Sequence, residues 1–190
     1  DVNLAFANEL SIICHQNKVN VRELINLANY HPRVNILQPG CGVGGHCIAV
    51  DPWFLIADNP QTTPLIQAAR KVNDLKKEWV YQKILSKINY MENKLNRSII
   101  TACFGISYKP NVNDLRESPA MNIVERLIQK NPNMLTIEPN LSSYPSIKLS
   151  SINEAIAKAD LLVFLVSHKE FKNLDLQNKE ILDFCGIQRF

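Results

Sequence analysis

Apolar residues in the first half of the chain recur at three- and four-residue spacing, which predicts α-helices. One helix is predicted over residues 2–14 and a much longer one over residues 64–91. Between them, Asn20 can cap a further helix, with Glu23 three positions later, where a capping box places an acidic residue. The side chains predicted to be buried in that helix are Leu24, Ile25 and Leu27.

The second half alternates short apolar runs with helical patterns. The run at residues 99–106 carries no charge, which is typical of a strand buried on both faces of a parallel sheet. Further strands are predicted at residues 134–137, 161–166 and 181–184, and helices at residues 118–129 and 152–159. Such alternation predicts a parallel sheet with helices on its faces. The predicted fold class is therefore α + α/β, a helical domain followed by a Rossmann-like parallel-sheet domain.

Composition and charge narrow the function classes. The 190 residues are 46% hydrophobic, enough apolar material for a core, and the formal net charge is only +3. Lys and Arg are spread along the chain, so we predict no nucleic-acid partner, although a few cations inside a cleft can still bind an anionic small molecule. No stretch approaches the roughly 20 apolar residues of a membrane span, and we predict no membrane association.

The cysteines also bear on location. Their number is odd and they are widely scattered, which does not suit a secreted disulfide framework. We therefore expect free thiols and a cytoplasmic protein. The five residues are Cys14, Cys41, Cys47, Cys103 and Cys185.

Four of the six glycines lie in one predicted loop, residues 36–52. Three of them precede Cys47 in the sequence GVGGHC, where glycine lets the backbone approach a ligand closely and present the thiol in a pocket. Asp51 follows four residues later and would lie near Cys47 on a helical turn, where its carboxylate could order a water or accept a proton. Cys47 and Asp51 are therefore the candidate catalytic residues, with a cation from elsewhere needed to favour the thiolate.

The same loop allows two other interpretations. Cys47 could be a buried structural cysteine in a tight turn. Alternatively, Cys41, His46 and Cys47 could be metal ligands in a redox module, but His46 adjoins Cys47 and no second ligand pair follows, which is poor spacing for zinc. We predict no metal site, and the role of His46 stays open.

Two long segments carry a resemblance to a known family. The sequences PGCGVGGHC at residues 39–47 and FGISYKPNVNDLRESP at residues 104–119, with Asp51 between them, resemble the UDP-glucose/GDP-mannose dehydrogenase family. Both motifs and residues 29–38 are most similar to members that act on UDP-N-acetyl-D-mannosamine, with UDP-glucose and GDP-mannose as alternative substrates. The resemblance covers essentially the whole chain and implies an enzyme with a nucleotide-sugar substrate.

The resemblance also implies a mechanism. Members of this family oxidise the C6 alcohol of a nucleotide sugar to a carboxylate, in two hydride transfers to NAD, through an intermediate bound to a thiol. Cys47 matches that thiol, because addition of a thiolate to an aldehyde gives a thiohemiacetal whose oxidation yields a hydrolysable thioester. Asp51 matches the carboxylate that positions or activates water. Val50 stands where many members carry a lysine, so no role of that lysine is transferred.

Four groups of residues match substrate-binding positions of the family. Lys109 and Arg116 match basic positions of the second motif, at the carboxyl edge of the predicted sheet. As an alternative, the same two residues could belong to a solvated loop with ion pairs to Asp114 and Glu117. Arg33 matches an arginine that relatives extend across a dimer interface, although it could equally be a surface residue. The remaining matches are Asn8, which we expect to line the site, and Gly44 and Gly45 of the first motif.

The family's cofactor domain has no counterpart in this sequence. No G-x-G-x-x-G follows a predicted strand, so NAD would be bound by an N-terminal domain preceding Asp1, and we assign no cofactor-binding residue here. We expect a helical dimerisation domain with the cysteine loop over residues 1–92 and a UDP-sugar-binding domain over residues 93–190. Alone, the chain should form a homodimer and bind a UDP-sugar weakly without turnover. A non-catalytic nucleotide-sugar-binding or dimerisation protein is the alternative from another class.

Overall fold

The computed structural model describes residues 1–176 and 179–187. Its first half is helical, as predicted, and its second half alternates strands with helices. The helices are α1 (Val2–Gln16), α2 (Val21–Ala28), α3 (Asp51–Asp58), α4 (Pro64–Leu95), α5 (Pro119–Lys130) and α6 (Ile152–Lys158). The strands are β1 (Thr101–Phe104), β2 (Met134–Ile137), β3 (Leu161–Phe164) and β4 (Glu180–Asp183), and a short 3-10 helix spans Lys169–Phe171.

Side chains at the helix starts explain where several helices begin. Asn20 accepts hydrogen bonds from the N–H groups of Arg22 and Glu23, at 2.9 and 3.4 Å, and thereby caps α2. Ser118 accepts from the N–H of Met121 at 3.2 Å and caps α5. These bonds satisfy N–H groups that have no partner within the helix. The capping residue predicted for α2 is therefore confirmed.

The four strands form one parallel sheet in the order β2-β1-β3-β4. Thr101 of β1 is level with Met134 of β2 and with Leu161 of β3, so the carboxyl ends of the strands meet at one edge. Because β2 and β3 lie on opposite sides of β1, the connections diverge there, and such a divergence opens a crevice at the carboxyl edge. The predicted α + α/β fold class is confirmed.

Helices cover both faces of the sheet. Successive residues of β1 point to opposite faces. Cys103 packs with α4 and α5 in one core, and Phe104 packs with α6 in the other. The Phe104 ring stacks on Phe164 at 4.6 Å between centroids and meets Phe171 edge-on at 5.3 Å. The sheet is therefore a rigid base for the loops at its carboxyl edge.

Two features of the helical half differ from the prediction. The predicted loop ends at residue 52 and no element was predicted for residues 53–59, whereas the structure has helix α3 there. Its residues Trp53, Phe54 and Leu55 are all exposed, so it has no apolar stripe to signal a helix. Leu27, predicted to be buried, is 69% exposed, because the two-turn helix α2 packs on α1 and buries only Ile25 completely.

Candidate active site

Glycine lets the first motif dock onto the second. The N–H of Gly45 donates to the carbonyl oxygen of Arg116 at 3.0 Å. A Cβ atom added at Gly44 would lie 2.5 Å from the carbonyl oxygen of Glu117 and 2.9 Å from Cβ of Tyr108. Gly45 has a φ of +91°, in the left-handed region that favours glycine, and its backbone lies against the Tyr108 ring. Gly44 and Gly45 thus bring the two motifs into direct contact.

The candidate nucleophile is exposed at the end of this docked loop. Cys47 is exposed and its Sγ lies 3.3 Å from Nδ1 of His46. The N–H of Asp51 donates to the carbonyl oxygen of Cys47 at 2.8 Å, which is the helical turn that the sequence analysis required. Asp51 is exposed as well. The exposure of Cys47 is at odds with a buried structural role and leaves the thiol accessible to a substrate.

The other cysteine of the loop is in a different environment. Cys41 is buried, and its thiol donates to the carbonyl oxygen of Leu165 at 3.4 Å. Burial raises the pKa of Cys41, and likewise that of Cys103, to about 12, which keeps both thiols protonated and unreactive. In residues 1–176 and 179–187, no three His, Cys, Asp or Glu side chains are grouped so as to hold a metal ion.

Arg116 forms a two-point ion pair with Asp114. Its Nη2 donates to Oδ2 at 2.6 Å, and its Nε lies 3.0 and 3.1 Å from the two carboxylate oxygens. These hydrogen bonds from Arg116 lower the pKa of Asp114 to about 2. Asp114 raises the pKa of Arg116, and Cys47 contributes a smaller effect of the same sign, so the guanidinium lies within electrostatic reach of the thiol. Arg116 is therefore a candidate for the cation that the sequence analysis required.

Arg116 also retains binding capacity. Nε and Nη2 engage Asp114, and the Arg116 side chain is 63% exposed, which leaves the Nη1 donors available to a ligand. The ion pair with Asp114 is the arrangement that the solvated-loop alternative predicted, so both interpretations of Arg116 are compatible with its geometry.

A cavity of about 320 Å³ opens beside the docked motifs. It lies between the glycine loop and the segments that follow β1 and β3, at the divergence of the sheet connections, and has a size typical of small-molecule sites. Lys109 lines it, is exposed, and holds its Nζ 5.4 Å from the centroid of the Tyr108 ring. Its walls include residues 38–44, 107–110 and 165–167. A larger cavity elsewhere is described below. Of the residues in the two motifs, only Pro39 lines it among the described residues.

A buried acidic residue fixes the backbone below Lys109. Glu138 follows β2 and is almost fully buried; its Oε2 accepts the N–H groups of Ile106 and Ser107, at 2.9 and 3.1 Å. Burial acts to raise the pKa of Glu138, but hydrogen bonds from His168 and from backbone N–H groups outweigh it, so the pKa is lowered. The carboxylate therefore stays charged and holds the start of the second motif in place.

His168 extends this network to the far end of the loop. Its Nδ1 accepts the backbone N–H of Asn111 at 2.9 Å, so the ring proton of the neutral form lies on Nε2, 3.1 Å from Oε2 of Glu138. Lys109 lies between the two anchored points. The sequence analysis missed Glu138 and His168, for which the available signal was a polar residue shortly after a predicted strand.

Asn8 supports the glycine loop from behind. It is fully buried; its Oδ1 accepts the N–H of Gly40 at 3.0 Å and its Nδ2 donates to Oδ1 of Asn73 at 2.9 Å. Asn73 in turn donates to the Asp1 side chain at 2.8 Å. Asn8 does not line the 320 Å³ cavity, so its observed contacts position the loop that carries Cys47.

Arg33 lies away from the cleft. It is exposed on the loop after α2, and its backbone N–H donates to Nδ1 of His31 at 3.2 Å. Asn29 holds the ends of this loop together through two hydrogen bonds to the backbone of Ile36, at 2.7 and 2.9 Å. Within this chain the fold does not bring Arg33 and Cys47 together.

Comparison with family models matches both halves of the chain. The central domain of the UDP-glucose/GDP-mannose dehydrogenase family matches residues 1–75, and the UDP binding domain of the same family matches residues 102–186. The two matches contain the docked motifs, since the first motif lies in the central-domain match and nearly all of the second lies in the UDP-binding match.

The similar proteins found by sequence comparison are sugar-nucleotide dehydrogenases. UDP-N-acetyl-D-mannosamine dehydrogenase of Campylobacter jejuni is 50% identical over 97% of this chain and 46% of that protein. The Escherichia coli K12 protein of the same name is 49% identical over 100% of this chain and 48% of its own length. NDP-N-acetyl-D-galactosaminuronic acid dehydrogenase of Ralstonia nicotianae is 47% identical over 98% of this chain and 45% of that protein. The chain thus spans about half the length of these relatives.

Solved structures agree with this comparison. The UDP-N-acetyl-mannosamine dehydrogenase of Staphylococcus aureus matches with a TM-score of 0.81 at 38% identity, over 100% of this chain and 45% of that one. The Pyrococcus horikoshii enzyme described as a UDP-D-ManNAc dehydrogenase matches with a TM-score of 0.82 at 32% identity, over 99% and 46%.

Proposed function

The chain belongs to the UDP-glucose/GDP-mannose dehydrogenase family, and we propose that it is the central and substrate-binding part of an NAD-dependent UDP-N-acetyl-D-mannosamine 6-dehydrogenase. The proposed substrate rests on the names of the relatives at 49–50% identity. The Ralstonia relative, named for an N-acetyl-D-galactosaminuronic acid, also concerns an N-acetylated hexosamine. The sugar's N-acetyl group is therefore the part of the substrate that the comparisons support best.

The observation that carries the proposal is the docking of the two motifs. The contacts of Gly44 and Gly45 with the second motif leave an exposed thiol at Cys47, a guanidinium at Arg116 within electrostatic reach, and a carboxylate at Asp51 one helical turn away. A thiol, a cation that favours its thiolate, and a carboxylate that can order water are the groups that oxidation of an aldehyde through a thioester requires.

Cys47 acts as the nucleophile in this proposal. Its thiolate adds to the C6 aldehyde, forming a carbon–sulfur bond, and the carbonyl oxygen takes up a proton to give the thiohemiacetal. Loss of a hydride from C6 together with the hydroxyl proton gives a thioester on the same sulfur. Water ordered by Asp51 then attacks the thioester carbonyl, releasing the uronate and the thiol. His46 Nδ1, 3.3 Å from the sulfur, is placed to exchange a proton with Cys47 at the first step.

The two oxidations would require NAD as the hydride acceptor, but the described residues do not fit this cofactor. The turn after β1 has the sequence GISYKP. Its single glycine, Gly105, lies against Val166 in the segment that follows β3. A dinucleotide turn needs further glycines so that the pyrophosphate can approach a helix N-terminus. We therefore assign no NAD contact to this chain and expect that a preceding domain of a longer polypeptide supplies it.

The cleft at the sheet edge receives the nucleotide. Lys109 lines the 320 Å³ cavity, which is large enough for part of a nucleotide, and Arg116, which does not line it, would supply a second positive charge for the diphosphate. In this proposal residues 1–92 form the helical dimerisation domain with the cysteine loop, and residues 93–190 form the UDP-sugar-binding domain. Asn8, Glu138 and His168 hold the two motifs in position without contacting the substrate.

A homodimer completes the proposal. Exposed apolar side chains on the helical half, among them Phe6 and Ile13 of α1, offer surface that a partner copy would cover. Arg33 then extends toward the partner's cleft. Light scattering on the chain tests this: a mass of two chains supports the dimer, whereas a single-chain mass at high concentration contradicts it.

The proposed location is the cytoplasm, which the five free thiols support. In the part of the chain described, no helix is both long and apolar enough to cross a membrane.

Calorimetric titration tests the binding site. UDP-N-acetylmannosamine, UDP-glucose and GDP-mannose are titrated into the chain and into Lys109→Ala and Arg116→Ala. We expect preference for the N-acetylated UDP-sugar and at least about tenfold weaker binding in either variant, the loss of one charge-assisted contact. Arg97→Ala is the matched control, since Arg97 forms a similar exposed pair with Asp160 away from the cleft. Equal losses in all three variants would contradict the assigned site.

NADH formation tests the activity. The complete protein that contains this chain is assayed with each nucleotide sugar, as wild type and as Cys47→Ser. Oxidation of UDP-N-acetylmannosamine with two NADH per sugar supports the proposal. Binding without NADH formation from any of the three sugars would instead favour a non-catalytic nucleotide-sugar-binding protein.

A further inference from the structure

A second, larger cavity lies apart from the 320 Å³ cavity beside the docked motifs. It has a volume of about 940 Å³ and lies between α1, α2, α4 and the end of β4. Pro39 of the glycine loop lines both this cavity and the 320 Å³ one, and it is the only lining residue that they share among the described residues. A ligand here would therefore not occupy the nucleotide-sugar cleft.

Positive charge dominates the walls of this cavity. Five Lys or Arg side chains line it against two carboxylates, and one of those carboxylates, Asp183, also accepts the N–H groups of Cys185 and Gly186. The lysine ion pairs of the described residues involve Lys77, Lys87, Lys158 and Lys169. Three of the lining lysines are thus without a carboxylate partner in the described part of the chain: Lys18, Lys76 and Lys83.

Lys76 makes this a built site rather than a solvated surface. Its residue is only 3% exposed, and its Nζ donates to Oγ of Ser11 at 2.7 Å, while Ser11 donates to the carbonyl oxygen of Asn8 at 2.6 Å. The same Nζ lies 4.1 Å from the centroid of the Trp79 ring. Ser11 and the ring face occupy two of the three ammonium donors, which leaves one for a ligand.

The fold thus holds an ammonium group in a poorly solvated position. Burial lowers the pKa of Lys76 to about 8, which reflects the cost of keeping the charge there. A second lysine, Lys83, lies 5.5 Å from the centroid of the same indole, so two cations share one aromatic partner. In the described part of the chain no carboxylate pairs with Lys76, and a bound anion would compensate its buried charge.

We propose that this cavity binds a small phosphate-bearing anion, at a site distinct from the nucleotide-sugar cleft. The ammonium groups of Lys18, Lys76 and Lys83 contact the phosphate oxygens, and the volume also accommodates the group that the phosphate carries. A cationic ligand would be repelled, and a neutral one would leave the charge of Lys76 uncompensated. The proposal is independent of the assignment of Cys47, because it uses none of the cleft's charged residues.

Binding in this cavity depends on pH in a defined direction. A bound anion favours the charged form of Lys76, so binding takes up a proton wherever the free protein has lost it. Between about pH 7, where the phosphate has lost its second proton, and pH 8 the contribution of Lys76 should change little, and affinity should fall as the pH rises through about 8, the pKa of Lys76 in the free chain. An exposed lysine cluster would lose affinity only near pH 10 or above.

Inorganic pyrophosphate is the probe for the test. Its affinity for the chain is measured by calorimetry, and the indole fluorescence of a Trp53→Phe variant, in which Trp79 is the remaining tryptophan, reports the location. We expect saturable binding with a change in Trp79 fluorescence, weakened at least about tenfold in Lys18→Gln/Lys83→Gln and lost progressively above pH 8. Lys71→Gln, an exposed lysine of α4 that does not line the cavity, is the control and should bind as the wild type does.

Three outcomes would overturn the proposal. Absence of saturable binding would exclude the site. An equal loss of affinity in Lys71→Gln would mean that only the overall charge attracts the probe. A loss in Lys109→Gln, with no loss in Lys18→Gln/Lys83→Gln, would mean that pyrophosphate binds in the nucleotide-sugar cleft instead.

Discussion

The parallel sheet and the docked motifs, residues 39–51 and 107–119, are held together in different ways. Side chains of the two central strands, β1 and β3, are all buried and apolar except Thr101, and aromatic stacking such as that of Phe104 on Phe164 fills one core. The docked motifs contain little regular structure. Their contacts are backbone hydrogen bonds, such as Gly45 to Arg116, and positions where no Cβ fits, such as Gly44.

This difference separates stability from chemistry. Burial in the sheet contributes free energy of folding in proportion to apolar area, so volume-conserving substitutions there are tolerated. The docked motifs bury little apolar area but present Cys47, Asp51, Lys109 and Arg116 from a fixed backbone. We therefore expect substitutions in the sheet to change the free energy of unfolding, and those in the docked motifs to change binding and turnover.

The largest expected effect is on turnover. Cys47→Ser in the complete protein should lower the rate of uronate formation by about 10⁴, because a hydroxyl is far less ionised than a thiol and no covalent intermediate forms. Its free energy of unfolding should stay within about 0.5 kcal/mol of the wild type, since Cys47 is exposed. Initial rates of NADH formation and urea unfolding measure the two quantities.

Cys103→Ser is the matched variant in the sheet. Cys103 is fully buried, so its hydroxyl should cost about 1–3 kcal/mol of unfolding free energy while the rate of the folded enzyme stays unchanged. A slow Cys103→Ser enzyme together with an active Cys47→Ser enzyme would reverse the comparison.

The next largest effect concerns the aromatic core. Phe104→Ala should lower the free energy of unfolding by about 3–5 kcal/mol, because it removes a buried ring that touches Phe164 and Phe171. Denaturant unfolding measures this loss. Phe54→Ala on the exposed face of α3 should cost less than about 1 kcal/mol. Similar losses in the two variants would refute the assigned core.

Gly44→Ala should affect both stability and binding. The added Cβ would meet the Glu117 carbonyl oxygen at 2.5 Å, so the motifs must separate, at a cost of about 1–3 kcal/mol. We expect a matching loss of UDP-sugar affinity in calorimetry. Gly40→Ala, where nothing lies within 4 Å of the new Cβ, is the control and should change unfolding by less than about 1 kcal/mol. A neutral Gly44→Ala would contradict the docking.

The smallest predicted effect depends on pH. The pKa of Lys76 is lowered to about 8 in the folded chain, so between pH 8 and about 10.5 the unfolded chain binds more protons at this residue, and the free energy of unfolding of the wild type rises relative to that of Lys76→Met. Lys76→Met should lack this rise and be more stable by about 1–2 kcal/mol at pH 7. Urea unfolding across pH 7 to 10 measures both. A parallel pH dependence in the two proteins would mean that Lys76 is well solvated.

The sheet could be predicted from the sequence because its strands are local apolar runs. β2 has the predicted bounds, Met134–Ile137. β1 is shorter than its apolar run, because Ile99 and Ile106 at the ends of the run are buried but lie outside the paired register of the strand. Helix α3 could not be predicted, because Trp53, Phe54 and Leu55 give no amphipathic pattern and are all exposed.

Motif resemblance identified candidate site residues but not their contacts. The sequence names Gly44 and Cys47, yet only the fold shows Gly44 pressed against a carbonyl oxygen more than 70 positions later. Asn8, Glu138 and His168 act through buried hydrogen bonds between distant segments, which no local pattern encodes. Lys76 lies within a helical pattern as an ordinary lysine, and its burial follows only from the packing of α1 on α4.

Direct observation of a carbon–sulfur bond at Cys47 would test the central claim most directly. The complete protein, without NAD, is mixed with the C6 aldehyde of UDP-N-acetylmannosamine labelled with ¹³C at C6, and the carbon spectrum is recorded. Without a hydride acceptor the reaction should stop at the thiohemiacetal, giving a new C6 resonance that is absent in Cys47→Ser. An adduct of equal intensity in Cys47→Ser, or no adduct in the wild type at saturating aldehyde, would contradict the assignment of Cys47 as the nucleophile.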